Sequence, residues 1–111
     1  MKNKVVVISG ASSGIGKACA WHFAKNGSKV VLAARSEEKL KAIGKEMMIA
    51  GYEILTVRAD VSNEEDCQNL ISETINKYKV IDVLINNALL IRTSITSYLL
   101  IVSEIRFWQS S

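Results

Sequence analysis

Apolar and polar positions along this chain follow two different rhythms. Four short stretches, "KVVVIS" (4–9), "SKVVLAA" (28–34), "EILTV" (53–57) and "VIDVLIN" (80–86), are nearly continuous in apolar and mostly β-branched residues. Runs of that kind predict strands buried on both faces, because a strand with one wet face would alternate. Between them lie longer amphipathic stretches that predict three helices. The first runs near Ile15–Asn26 and stops at Gly27, and the second runs near Glu37–Ala50 and stops at Gly51. Glycine suits the left-handed position that closes a helix. The third opens on Ser62-Asn63-Glu64-Glu65, the spacing of a capping box in which serine and glutamate satisfy each other's backbone donors. The order β-α-β-α-β-α-β implies an α/β fold of Rossmann type, with right-handed crossovers and a doubly wound parallel sheet of strand order 3-2-1-4.

Composition narrows the class without naming a chemistry. The 111 residues are 49% hydrophobic and 23% charged, enough for one core. A net charge of +3 is mild and the lysines are scattered, so no nucleic-acid partner is expected. The opening "MKNKVVVISG" carries four consecutive apolar residues, short of the roughly 7–15 in a secretory signal core. The later run Tyr98–Val102 is far below the roughly 20 residues of a membrane span. The expected setting is therefore cytoplasmic, with no membrane contact. Cys19 and Cys67 form no CxxC pair and His22 is the single histidine, so no metal site is expected and both thiols read as buried packing groups.

The candidate chemistry begins after the first strand, at "SGASSGIGKA". Gly10, Gly14 and Gly16 have the spacing G-x-x-x-G-x-G at the opening of a helix, with Ser12 and Ser13 as added hydroxyl donors and Ile15 between the last two glycines. A helix N-terminus presents unpaired N–H groups and partial positive charge, and glycines let a diphosphate come close to the backbone. A tight strand-to-helix connection explains glycines as well. Two rival phosphate chemistries fail on the letters. A nucleotide-hydrolysing P-loop needs glycine where Ala11 stands and a hydroxyl where Ala18 stands. A phosphoacceptor receiver domain would use Asp60, yet the acidic pair it needs after the first strand is replaced by Ser9 and Gly10.

In dinucleotide sites the end of the second strand meets the adenosine ribose, where an acid binds a 2′-hydroxyl and an arginine accepts a 2′-phosphate. Here that strand ends Ala33-Ala34-Arg35. No carboxylate is present and a guanidinium fork is, which favours NADP(H) over NAD(H). A solvated Arg35 paired with Glu37 or Glu38 is the plainer alternative.

With "SGASSGIG" (9–16), "AAR" (33–35), "ADV" (59–61) and "INNA" (85–88) in this order, residues 1–88 resemble the N-terminal half of the classical short-chain dehydrogenases/reductases. The resemblance implies an oxidoreductase that transfers hydride between a nicotinamide cofactor and an alcohol or carbonyl. It also implies that Gly10 to Gly16 hold the pyrophosphate, Arg35 the 2′-phosphate, Asp60 and Val61 the adenine, and Asn86, Asn87 and Ala88 the ribose beside the nicotinamide.

The resemblance stops at Leu89, where the family has glycine. Its catalytic serine and Tyr-x-x-x-Lys find no counterpart, since Tyr98 is followed four residues on by Val102 and no lysine follows Lys79. A tyrosine without a nearby cation keeps a pKa near 10, too high for efficient proton transfer at neutral pH. No catalytic residue is therefore assigned. Residues 1–88 read as an NADP(H)-binding half-domain, truncated and inactive alone, and 89–111 as a divergent tail packed on the sheet edge. A non-catalytic NADP(H)-binding module whose tail is a partner surface is the competing function. Ile91, Ile95, Tyr98, Leu99, Val102 and Ile105 fall at helical spacing, which favours a helix for the tail, although "YLLIVS" also suits a fifth strand. The almost chargeless strand 80–86 would then be an exposed edge, and it or the tail would offer a surface for self-association.

Overall fold

The structure is a computed structural model that describes residues 2–12, 14–86 and 102–104, with the backbone alone for 86 and 102–104. Its elements, in chain order, are β1 (Val5–Ser9), α1 (Gly14–Lys25), β2 (Lys29–Ala34), α2 (Glu37–Ile49), β3 (Ile54–Arg58), α3 (Glu64–Tyr78), β4 (Val83–Asn86) and β5 (Val102–Glu104). One sheet contains all five strands in the order β3-β2-β1-β4-β5. The first four pair in parallel, as the alternation of strands and helices requires.

The continuous apolar runs are explained by burial on both faces. Every residue of β1 is buried, as are Val30 to Ala34 of β2. On one face Val6, Ile8, Val30 and Leu32 pack with Ala20 and Ala24 of α1 and with Leu40, Ile43 and Met47 of α2. On the other, Val5, Val7, Val31 and Val57 pack with Leu70 of α3 and with Ile81. Each of the Val, Leu, Ile and Met side chains among them contributes about 1.5–3 kcal/mol by leaving water. Gly27 and Gly51 have φ of +87° and +95°, the left-handed closures expected of them.

Three expectations are corrected. The fourth strand starts at Val83 and not Val80, because Asp82 serves as a pin instead of a rung: its Oδ2 accepts the Val5 N–H at 2.9 Å while its own N–H donates to the Val5 carbonyl. α3 is not opened by a Ser62–Glu65 box. Asn63 is the N-cap and accepts the Asp66 N–H, while Ser62 is spent on Asp60. Finally, the helix favoured for the tail does not hold at Val102–Glu104, which pair antiparallel with β4 in the register Val83↔Glu104, Leu84↔Ser103 and Ile85↔Val102. β4 is thus not the sheet edge. Unpaired N–H and C=O groups along an open edge favour strand addition over a helix laid beside it. The rest of 87–111 lies outside the described residues.

The thiols also differ from expectation, since Cys19 and Cys67 are both only half-buried. Cys67 Sγ donates to the Val61 carbonyl at 3.2 Å. His22 is exposed on α1, edge-to-face against Phe23. Among the described residues no helix is long and apolar enough to cross a membrane.

Candidate functional site

The parallel sheet brings the C-terminal ends of β1 to β4 to one side, and the connection after β1 crosses it where the order turns from β2 to β4. Open α/β sheets bind ligands at such a point. Backbone bonds fix the rim: Ala11 N–H donates to the Ala33 carbonyl and Ala59 N–H to the Ala34 carbonyl, both at 3.0 Å. Ser9 pairs with Ala33 on one side and Asn86 on the other, and its hydroxyl reaches the Ile85 carbonyl at 3.4 Å.

The three glycines of the turn differ in what the fold asks of them. Gly10 has φ of +68°, a conformation that suits glycine. Gly16 is buried so tightly that a Cβ there would sit 2.3 Å from the Gly10 oxygen and 3.0 Å from the Ala11 Cα. Gly14 differs from both. It is exposed, its φ is not positive, and a Cβ built on it meets nothing within 4 Å. Among the described residues nothing in the fold asks for glycine at that position.

Electrostatics single out the same helix end. α2 and α3 balance their positive N-termini with acids in the first turn, Glu37 and Glu38 in one and Glu64, Glu65 and Asp66 in the other, whereas α1 has none. Ile15, 52% exposed, puts an apolar side chain at the same rim. An anionic diphosphate fits this arrangement: open space over Gly14 and a helix start with no acid in its first turn.

At the next two strand ends stand Arg35 and Asp60. Asp60 Oδ1 accepts the Ser62 hydroxyl at 2.6 Å and the Ser62 N–H at 3.0 Å. These bonds, helped by the charges of Arg35 and Arg58 and opposed by slight desolvation, hold the Asp60 carboxyl below its ordinary 3.8. The folded value being lowered, the stabilisation is complete above pH 3.8 and is lost as the pH falls through the lowered value. Asp60 is thus a charged acceptor throughout the neutral range. Arg58 is engaged, its Nη1 on Asp66 Oδ2 at 3.1 Å and its Nε on the Arg35 carbonyl at 3.2 Å. Of the two acids offered as partners for Arg35, Glu37 is taken by Lys41 at 2.8 Å, and among the described residues Glu38 forms no ion pair with Arg35. No hydrogen bond or ion pair with another described residue holds the exposed Arg35 guanidinium.

Of the residues singled out in the sequence, Gly10, Ser12, Gly14, Ile15 and Gly16 line the first turn, and Arg35, Asp60 and Val61 lie at the neighbouring strand ends. Asn86 closes β4 opposite Ser9 by its backbone. Ser13, Asn87 and Ala88 lie outside the described residues. Three further participants escaped the sequence reading. Arg58 fell one residue beyond the expected strand, Ser62 was assigned to the cap, and Asp66 was hidden among the acids of the first turn.

Comparison with known proteins gives a consistent picture. A family model described as short chain dehydrogenase matches residues 4–103, so family similarity continues past Ala88, where the last recognisable motif ends. The chain is 43% identical over 117 aligned positions to the "11-beta-hydroxysteroid dehydrogenase" of Pinus massoniana, covering 99% of this chain and 33% of that protein. It is 46% identical over 86 positions to "11-beta-hydroxysteroid dehydrogenase A" of Sesamum indicum, covering 77% of this chain and 25% of that one. It spans about a third of the length of the first of these relatives and a quarter of the second. Among solved structures, a short chain dehydrogenase/reductase from Burkholderia phymatum in complex with NAD superposes with a TM-score of 0.74 at 37% identity, over 76% of this chain and 30% of that one. Glucose dehydrogenase of Caenorhabditis elegans in its apo form does so with 0.74 at 36%, over 87% and 41%.

Proposed function

This chain belongs to the short-chain dehydrogenase family, and from that premise we propose that it is the dinucleotide-binding portion of an oxidoreductase that prefers NADP(H). When bound, the nicotinamide supplies or accepts the hydride. The residues of this chain bind and orient it. Gly10 to Gly16, with Ser12 and Ser13, hold the pyrophosphate on the N-terminus of α1, and Asp60 and Val61 receive the adenine. Asn86, Asn87 and Ala88 flank the ribose next to the nicotinamide.

What carries this proposal is Gly14, a glycine with neither a strained backbone nor a crowded Cβ to explain it, at a helix start whose dipole no acid compensates. Arg35 supports the preference for the 2′-phosphate, because it is exposed and, among the described residues, no hydrogen bond or ion pair holds its guanidinium, while Arg58 and Glu37 are both committed. The Burkholderia neighbour was crystallised with NAD, so the fold by itself does not choose between the two cofactors. The relatives' names point to a hydroxyl or ketone on a large apolar skeleton as the substrate class. With no Tyr-x-x-x-Lys in its 111 residues, the chain alone is not expected to turn substrate over.

Calorimetric titration of the 111-residue chain with NADPH, NADH and ATP is the test. NADPH is expected to bind about tenfold or more tightly than NADH, the value of one charge-assisted contact, and ATP to gain nothing from magnesium. Equal affinities for NADPH and NADH would refute the preference, and absence of binding would refute the site.

A further inference from the structure

One carboxylate oxygen outside the residues assigned above joins two of them. Asp66 Oδ2 accepts the Asp60 N–H at 2.9 Å and the Arg58 Nη1 at 3.1 Å, and Arg58 Nε in turn donates to the Arg35 carbonyl at 3.2 Å. The oxygen is well placed for this because the Asp66 N–H is itself held by the Asn63 cap at 3.2 Å, which sets where the first turn of α3 begins. Its side chain is 26% exposed, so the pair with Arg58 is partly shielded from water and stronger than a wholly exposed one. The consequences run to both ends of the adenosine site. Asp60 has its backbone fixed by Asp66 while its carboxylate is fixed by Ser62, so neither half of the residue is free to turn. Arg58 is neutralised and held down on the Arg35 backbone, which leaves the neighbouring guanidinium as the cation available to a phosphate.

We infer that Asp66 is a positioning residue for the adenosine end of the dinucleotide, acting through Asp60 and Arg58 and touching no ligand itself. The inference rests on the dinucleotide-binding role proposed above. It separates Asp66 from Arg35 by what each should affect: Arg35 meets a group that only NADP(H) carries, while Asp66 orders the part of the site that NADPH, NADH and ADP share.

The experiment is calorimetric titration of the unaltered chain and of Asp66→Ala, Asp66→Asn, Arg58→Ala and the double Asp66→Ala/Arg58→Ala variant, with NADPH, NADH and ADP as probes. Asp66→Ala is expected to weaken all three by the same factor of about five or more, what one or two net hydrogen bonds contribute. Asp66→Asn, which keeps an acceptor for the Asp60 N–H but loses the charge facing Arg58, should recover part of that loss. The double variant should bind no worse than Asp66→Ala, since the two residues act as one unit. A merely structural loss would instead appear as a lowered unfolding midpoint with no partial rescue by asparagine. That pattern, losses that simply add, or unchanged binding by both Asp66 variants would overturn the inference while leaving the proposed function standing. Failure of the unaltered chain to bind any of the three would overturn both.

Discussion

Gly16→Ala is expected to lower stability by about 3 kcal/mol and to remove dinucleotide binding with it. The added methyl would sit 2.3 Å from the Gly10 oxygen, 2.9 Å from its carbonyl carbon and 3.0 Å from the Ala11 Cα. All three are backbone atoms, so no rotamer change relieves the contact and either α1 or the Gly10 turn must move. Overpacking of this kind costs about 1–3 kcal/mol, and with backbone on both sides the upper end applies. Against a typical total of about 5–15 kcal/mol, that is a large share. The displaced turn is also the one that carries Gly10 at φ +68° and the Ala11 bond to β2, so the proposed seat for the diphosphate shifts with it. Gly14→Ala is the matched control. Its methyl enters open space at unstrained backbone, so stability should not fall and should rise by up to about 1 kcal/mol, while NADPH affinity falls if the proposed diphosphate seat is right. Urea unfolding and calorimetry on the two variants check this. Equal stability losses, or Gly14→Ala binding as the unaltered chain does, would contradict it.

Arg35→Ala is expected to weaken NADPH binding by about ten- to a hundredfold and to leave NADH nearly unchanged. A hydrogen bond to a charged group is worth about 1.5–3 kcal/mol, and each 1.4 kcal/mol is about tenfold in affinity. Exposure of Arg35 places the effect toward the lower end in high salt, since water and ions screen the contact. Arg35→Lys should restore only part, because an ammonium gives charge without the two-pronged geometry of a guanidinium. Titrations with both cofactors at two salt concentrations decide the matter. Equal losses for NADPH and NADH would mean that Arg35 supports the loop and does not meet the 2′-phosphate.

The sequence made the framework legible because strands buried on both faces and amphipathic helices leave different marks. β1 and β2 read almost to the residue, since continuous β-branched runs such as "VVVI" and "VVL" suit strands buried on both faces. Where local pattern and long-range contact disagreed, contact won. Ile81 and Asp82 look like strand, yet Asp82 sits 77 positions from the Val5 N–H it binds, and no local period encodes that. Ser62 and Glu65 have the letters of a capping box, but the Asp60 carboxylate competes for the serine and Asn63 takes its place as cap. At Val102 the helical stripe gave way to the open edge of β4.

The site divides in the same way. Motif residues such as Gly10, Arg35 and Asp60 are visible in the sequence because their positions follow strand ends. Reasons for them are not visible there. Only three dimensions separate Gly16, which the fold demands, from Gly14, which it does not. Likewise, that Arg58 is committed depends on Asp66 lying eight residues past it on another element, a relation that spacing alone does not announce.

The other proposed roles follow from the turn from Gly10 to Gly16 seating a dinucleotide's diphosphate. The most direct measurement is to follow backbone amide resonances of the ¹⁵N-labelled chain during titration with NADPH. Saturable shifts concentrated at Gly10 to Gly16, with Arg35 and Asp60 moving at the same midpoint, are the expected result. Shifts centred elsewhere on the chain, or no shift at residues 10–16 at saturating NADPH, would contradict it.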